Sequence, residues 1–411
     1  MGGWLASMTP AYADVVPGDL INADNVDKAV ELMSPGMEWC VRHGWPMRIV
    51  ETKSVPTPKA FTEATEKYSG QIKLAADGLS LENYVAGLPF PQIDPNDPML
   101  AHKVMWNYDY KFLTTDDVDL RNFDADTGSI STTAPMSVER HFLLDHFRRL
   151  FYTGRLYVEP MPEYEPNPNE YRGQQGLYPI LEPFDLKGVG AVGNRYIDSA
   201  KQDDQWLYLP SLRRVRRLST AQRSDALFGQ DTDVDSYYGY SGHIAWMEWK
   251  FLGEKDLLSA MHAEHFPVKW ADGAADWAFD DVWEKRKVYV IEGVSKLPQY
   301  AYSKRVIFVD KETWTVPYSD IYDRAGELWK IWINNYSFRT QAPVPDPIVY
   351  PDPMGFIPAI VMVDIQLEHA TKAGLPSNRY QGEQGWYFNQ GEKSGVEPDW
   401  FTVAALVEAG S

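Results

Sequence analysis

The chain has 411 residues, enough to bury a large core as one β-rich domain or two ordinary ones. Its 39 basic against 58 acidic side chains leave a net charge of −19, which argues against broad nucleic-acid binding, since that needs a basic footprint. One cysteine, Cys40, excludes an intrachain disulfide, and with no Cys or His cluster around it a structural zinc site is excluded too. Aromatic content is the outlier, at 15 Trp, 24 Tyr and 17 Phe. Such side chains favour strands and also line apolar clefts.

Residues 1–13 end in Ala11-Tyr12-Ala13, the small-x-small pattern of a secretory cleavage site just before Asp14. The expectation is a signal remnant on an exported, periplasmic protein, with no cysteine placed for lipid anchoring. No later stretch approaches the ~20 apolar residues of a membrane-spanning helix. Residues 22–33 carry Asn and Asp cap candidates and helical spacing at Val26, Ala29, Val30 and Met33, which predicts a helix stopped by Ser34-Pro35-Gly36. A second short helix is expected to run to His43, with Gly44 just beyond. Proline-rich stretches at 89–98, 159–170 and 342–353 read as loops that cross between strands or wall a cavity.

Residues 141–157 fit a strand through Phe142, Leu144, Leu150 and Tyr152, or a helix through Leu143, Phe147, Leu150 and Phe151. The strand is preferred. Gly188, Gly190 and Gly193 suggest a phosphate loop, but Asn194 to Asp198 reads as a strand, so no helix N-terminus follows. Further strands are expected at 287–293, 302–310, 314–316, 327–336 and 360–367, with turns at 310–313 and 323–326. Together they predict an antiparallel meander, one face buried and the other wet.

The most informative stretch is 206–235. Trp206 and Tyr208 alternate with Leu207 and Leu209 before a Pro210-Ser211 turn, and Arg213, Arg214, Arg216 and Arg217 crowd the return strand. Alternation sends one arginine pair to the opposite face from the other. Arginine's planar fork suits a carboxylate or phosphate, so Trp206, Tyr208 and the four arginines are candidate ligand-binding residues. The competing reading pairs the arginines internally with Asp231, Asp233 and Asp235, or with Asp203 and Asp204. The three alternating aspartates do not form a helix-flanked calcium loop, because Ser236 and Gly242 stand where Gly and Glu are required. His262 and His265, and His141 and His146 with Asp145, lack the third ligand of a catalytic zinc. No metal, cofactor or catalytic residue is expected.

Several motifs bear a family resemblance: 203–210 with 213–217, 231–235, 249–253, 318–320, 322–323 and 326–330, and upstream 66–68, 83–87 and 106–108. The chain resembles domain-of-unknown-function family 1329, the outer-membrane lipoprotein-sorting-like proteins. The resemblance implies an α+β fold, a large half-open antiparallel β-barrel of the LolA/LolB type wrapping a few helices. It divides the chain into 1–13, a helical and irregular segment 14–98 packed on the main domain, and a β domain 99–411. The function implied is a non-enzymatic periplasmic carrier for a lipid-like or hydrophobic small molecule, linked to outer-membrane transport. The alternative is an interaction subunit docking on an outer-membrane barrel or exporter, with a hydrolase as the third reading.

Overall fold

The computed structural model describes residues 15–113, 115–219, 222–380 and 382–410; the expected signal remnant, 1–13, lies outside them. One 17-stranded sheet dominates. In spatial order its main run is β11 (Arg214–Arg217), β10 (Asp204–Leu209), β9 (Gly190–Tyr196), β7 (Tyr171–Leu177), β6 (Ser137–Phe151), β5 (Asp117–Ser129), β18 (His369–Gly374), β17 (Met354–Asp364), β16 (Leu328–Arg339), β15 (Tyr318–Tyr322), β14 (Lys304–Asp310), β13 (Val282–Ser295) and β12 (Met247–Ser259). All these pairings are antiparallel. β8 (Ile180–Glu182) adds to β6 and β19 (Trp386–Phe388) to β5. β2 (Met47–Ile49) pairs in parallel with β13 and carries β1 (Leu20–Ile21), whereas β3 (Lys73–Leu74) and β4 (Leu81–Glu82) form a separate ribbon. Among the described residues β11 pairs with β10 alone and β12 with β13 alone, so the sheet stays open: the fold is α+β, a half-open antiparallel barrel.

The 141–157 ambiguity resolves as strand, since all but its end lies in β6. β13, β14, β16 and β17 arise where β-branched and aromatic runs were expected, because such side chains pack well on a pleated surface. No strand forms at 314–316. Trp314 takes a positive φ of 60°, and Asp310 Oδ1 captures the Thr313 N–H and hydroxyl instead.

The expected wet face is absent at the centre of the sheet. Every residue of β17 is buried, because both faces are covered. On the outer face, Ile331, Ile333 and Phe308 pack with Met37, Cys40 and Val41 of α1 (Pro35–Arg42). On the inner face, Ile307 and Val309 pack with Val104 and Met105 of α3 (Leu100–Asp109), beside Phe61 of α2 (Lys59–Tyr68). A fourth helix, α4 (Val403–Ala409), sets Leu406 against Tyr178 and Tyr208. Alternation survives where cover is missing, as along β12.

The helix expected over 22–33 is instead two short 3-10 turns, Val26–Lys28 and Val30–Leu32. Ser34-Pro35-Gly36 starts a helix rather than stopping one. Ser34 Oγ accepts the Met37 N–H at 3.1 Å and Pro35 occupies the first helical position, where its missing N–H costs nothing. The same corner is bolted to the sheet: buried Asp320 accepts the Ser34 hydroxyl at 2.8 Å and the Gly36 N–H at 2.9 Å. Burial pushes the Asp320 carboxyl up to about 6, against the lowering effect of those two bonds. A Cβ on Gly36 would sit 2.5 Å from Asp320 Oδ1. Gly36→Ala should therefore destabilise the protein by about 1–3 kcal/mol through overpacking, opposite in sign to the usual helix Gly→Ala gain. Urea unfolding measures it.

Candidate functional site

Between β11 and β12 the chain leaves the sheet edge and crosses the inner face as a strap, residues 222–246. The three alternating aspartates fix its path. Asp231 takes hydrogen bonds from Thr371 Oγ1 at 2.9 Å and His369 Nδ1 at 2.8 Å, both on β18. Asp233, without exposure, accepts from Tyr302 Oη at 2.7 Å and pairs at 3.5 Å with Arg305 of β14, itself fully buried. Asp235 pairs at 2.6 Å with Arg223 and accepts from Tyr300 Oη at 2.9 Å. Arg223 also reaches Asp203 at 3.1 Å, and Asp203 binds Arg195 of β9 at 2.9 Å. The network thus ties the β9–β10 wing to the β14–β18 wing across the open side of the barrel. Burial works to lower the Arg223 and Arg305 pKa values, but Asp235 and Asp203 beside Arg223, and Tyr300 and Asp233 beside Arg305, hold both above the ordinary arginine range.

The aspartates are therefore not partners of the arginine strand. Of its four arginines only Arg217 forms an ion pair, with Asp204, among the described residues. All four are exposed. Arg213 lies in the turn with a left-handed backbone, φ 48°, so it takes no part in the strand's alternation. Opposite-strand register puts Arg214 and Arg216 beside Leu209 and Leu207, and Arg217 beside Trp206. Leu207 and Leu209 pack toward Leu144, Ile180 and Phe228, whereas Trp206 and Tyr208 pack under α4 with Tyr178 and Leu406. Alternation separated the two faces correctly, but the cavity lies on the leucine side. Trp206 and Tyr208 look away from it, and no arginine of 213–217 lines it.

The cleft lies between strap and sheet. One apolar chamber has a volume of about 80 Å³ and opens to solvent through a wide mouth. Phe123, Phe142, Leu144, Phe147, Ile180, Trp332, Ile360 and Trp386 form its floor, with Leu227, Phe228, Tyr237 and Tyr238 of the strap as roof. It shares Phe147, Leu177, Leu227, Phe228 and Tyr237 with a second chamber of about 290 Å³ that runs under β9 and β10 past Gln205 and Leu207. Phe228 and Tyr238 hold positive φ values of 53° and 59°, a conformation that costs of order 1 kcal/mol in a non-glycine residue and is retained only where surroundings dictate it. Of these lining residues, the sequence pattern places Phe142, Leu144, Trp332 and Ile360 on expected strands without assigning them to a cavity.

A polar chamber of about 80 Å³ adjoins the apolar one at Tyr238. Lys111, Arg149, Arg172 and Arg195 line it, with Asp109, Asp203, Gln174, Gln175 and Asn194. Arg172 pairs with Asp109. Burial favours the neutral Asp109 carboxyl, but the Arg172 guanidinium overrides it and leaves the group below the usual carboxylate range. Burial, aided by Arg149 and Arg172 and opposed by Asp109, pulls Lys111 down to about 7. Behind this chamber His243 is pushed down to about 3, by burial first and then by Arg195 and Arg172; it stays neutral and accepts the Ala245 N–H.

The histidine groups sort as polar anchors. His262 bonds Glu284 at 2.8 Å, and His146 bonds Asp119 at 2.8 Å. Asp124, Asp126 and His141 place one ligand atom each within 4.8 Å of one another. Arg379 occupies that corner, donating to Asp124 at 3.2 Å and contacting His141.

Residues 20–407 match the family described as Protein of unknown function (DUF1329). An uncharacterized protein of Pseudomonas aeruginosa is 24% identical over 344 residues, covering 80% of this chain and 70% of that protein. Among solved structures, a domain from Vibrio parahaemolyticus named for outer membrane lipoprotein sorting is 17% identical, with a TM-score of 0.49 over 74% of this chain and 97% of its own. A DUF1329 protein from Desulfovibrio piger is 15% identical, at 0.44 over 71% and 92%. A LolA superfamily protein from Nitrosomonas europaea is 14% identical, at 0.37 over 67% and 90%. No helix among the described residues is long and apolar enough to cross a membrane.

Two measurements probe the strap. Asp233→Ala leaves Arg305 charged and buried without its carboxylate, and should cost about 3–5 kcal/mol in chemical denaturation. The hydrogen bond to Asp231 raises the His369 pKa. A raised folded value gives stability that is complete below the ordinary imidazole value and is lost as pH rises through the raised one. Stability should decline as pH rises above the ordinary imidazole value of about 6.5, and His369→Gln should remove that component of the slope.

Proposed function

We propose, from the premise that the chain belongs to the DUF1329 family, that it is a non-enzymatic carrier of a hydrophobic or amphiphilic, lipid-like molecule. The observation that carries this reading is the cleft itself: a large apolar space under a strap anchored at both sides, walled by Phe123, Phe142, Phe147, Phe228, Trp332 and Trp386. Most of an acyl-sized ligand would be enclosed there, and apolar enclosure contributes roughly 25 cal/mol per Å² removed from water. Two apolar chambers lie side by side with Phe147, Leu177, Leu227, Phe228 and Tyr237 common to both walls, an arrangement that suits an elongated occupant better than a compact one. The secretory pattern at Ala11-Tyr12-Ala13 supports a periplasmic location.

The alternative, an interaction subunit docking on an outer-membrane barrel or export complex, is supported by one feature. The free edge of β11 presents Arg213, Arg214 and Arg216 to solvent beside Leu212, which is 50% exposed. Reversing the charge of Arg213 and Arg216 would weaken capture of such a partner without altering cargo binding.

The carrier reading predicts that native mass spectrometry after gentle purification finds a lipid-like adduct, and that the protein binds a fluorescent fatty acid. Leu177→Trp, placed where the two apolar chambers join, should weaken that binding by about tenfold or more, equivalent to 1.4 kcal/mol. Trp206→Ala, on the far face under α4, should leave it unchanged. A protein that carries no adduct and binds no fatty acid would contradict the reading.

A further inference from the structure

The polar chamber has a charge surplus that the fold does not use. Four cationic side chains, Lys111, Arg149, Arg172 and Arg195, meet two carboxylates, Asp109 and Asp203. Arg172 is consumed by Asp109, and Arg195 shares Asp203 with Arg223. Arg149 and Lys111 form no ion pair among the described residues. Lys111 gives a hydrogen bond to the Tyr108 carbonyl at 3.0 Å and stacks on the Tyr108 ring at 4.0 Å. Arg149 stacks on the Tyr238 ring at 4.8 Å, while its Nε is buried without a hydrogen-bond partner.

Tyr238 is the second, independent sign. It is 8% exposed, its hydroxyl is buried, and that hydroxyl has no hydrogen-bond partner. A buried orphan hydroxyl costs about 1–3 kcal/mol, and a positive φ adds to that. An unpaired guanidinium N–H and an unpaired hydroxyl lining one chamber are the donors that a carboxylate or phosphate accepts from. Tyr238 also lines the apolar chamber, so the donors stand at the boundary between apolar and polar space.

We infer that this chamber seats the anionic head group, a carboxylate or phosphate, of the amphiphile whose chain occupies the apolar cleft, with Arg149 and Tyr238 as donors and Lys111 as the second cation. The inference rests on the carrier reading for the tail, and on the orphaned donors for the head. It accounts for a concentration of positive charge inside a chain of net charge −19. Charge-assisted hydrogen bonds in a partly dry chamber contribute more than the same groups would at the surface.

The test compares palmitate, methyl palmitate and inorganic phosphate on the full chain by calorimetry. The two palmitates share a tail and differ in charge. Wild type should bind the acid about tenfold or more tightly than the ester. Arg149→Met should abolish that preference while leaving ester affinity unchanged, Arg149→Lys should restore part of it, and Tyr238→Phe should reduce it severalfold. Thermal unfolding of each variant checks that the fold survives. Equal affinity for acid and ester in wild type would overturn the head-group site and leave the carrier reading standing, as would equal losses of both in Arg149→Met. Phosphate binding that requires Arg149, with neither palmitate bound, would retain the anion site and sink the carrier reading. Binding of none of the three would overturn both.

Discussion

A sheet that does not close needs something to hold its wings apart and in register, and in this protein that is a set of buried ion pairs. Arg305 and Asp233 have no exposure, and Arg223 and Asp235 almost none. Charges removed from water are tolerable only when each meets its counter-charge and its remaining hydrogen-bond sites are filled. The strap therefore has little freedom in its course. It runs from Arg223 at the β9–β10 wing to His369 and Thr371 on β18, then back past the Tyr302 and Tyr300 hydroxyls. Buried pairs of this kind add little net stability; here they specify a path.

The strap's path sets the cavity beneath it. Leu227, Phe228 and Tyr237 become a roof because the polar residues on either side are committed to anchors. The helices complete the enclosure. α3 closes the inner side with Tyr108, whose hydroxyl donates to the Tyr240 carbonyl. α1 covers the opposite face, pinned through Ser34 and Gly36 to Asp320. The outcome is a sheet dry on both faces at its centre and a cleft graded from aromatic to cationic across Tyr238.

How much of this could be read from the sequence follows from the range of the interactions. Local alternation separated Trp206 and Tyr208 from Leu207 and Leu209, because strand periodicity is written in adjacent residues. Which face looks inward depends on α4, nearly two hundred residues further on. The aspartates at 231, 233 and 235 were legible as a charge supply, yet the arginines of 213–217 are not their partners, and Asp235 pairs instead with Arg223. The other partners come much later in the chain: Arg305 and His369 on strands, and Tyr302 just before β14. Ser34-Pro35-Gly36 carries the same residues whether it stops a helix or caps one, and only the captured Met37 N–H decides. The half-open barrel and its strands were readable from hydrophobic pattern and resemblance. The cleft was not, since its walls come from β5, β6, β16, β17 and the strap together.

The central claim is that the anchored strap roofs a cargo space. A crystal structure of the protein with palmitate tests it most directly. The account predicts an acyl chain lying between Phe147, Phe228 and Trp332, with the strap still pinned through Asp233 to Arg305 and the carboxylate turned toward Arg149. A ligand bound outside the strap, or a cleft filled by Phe228 and Tyr237 while palmitate sits elsewhere, would contradict it.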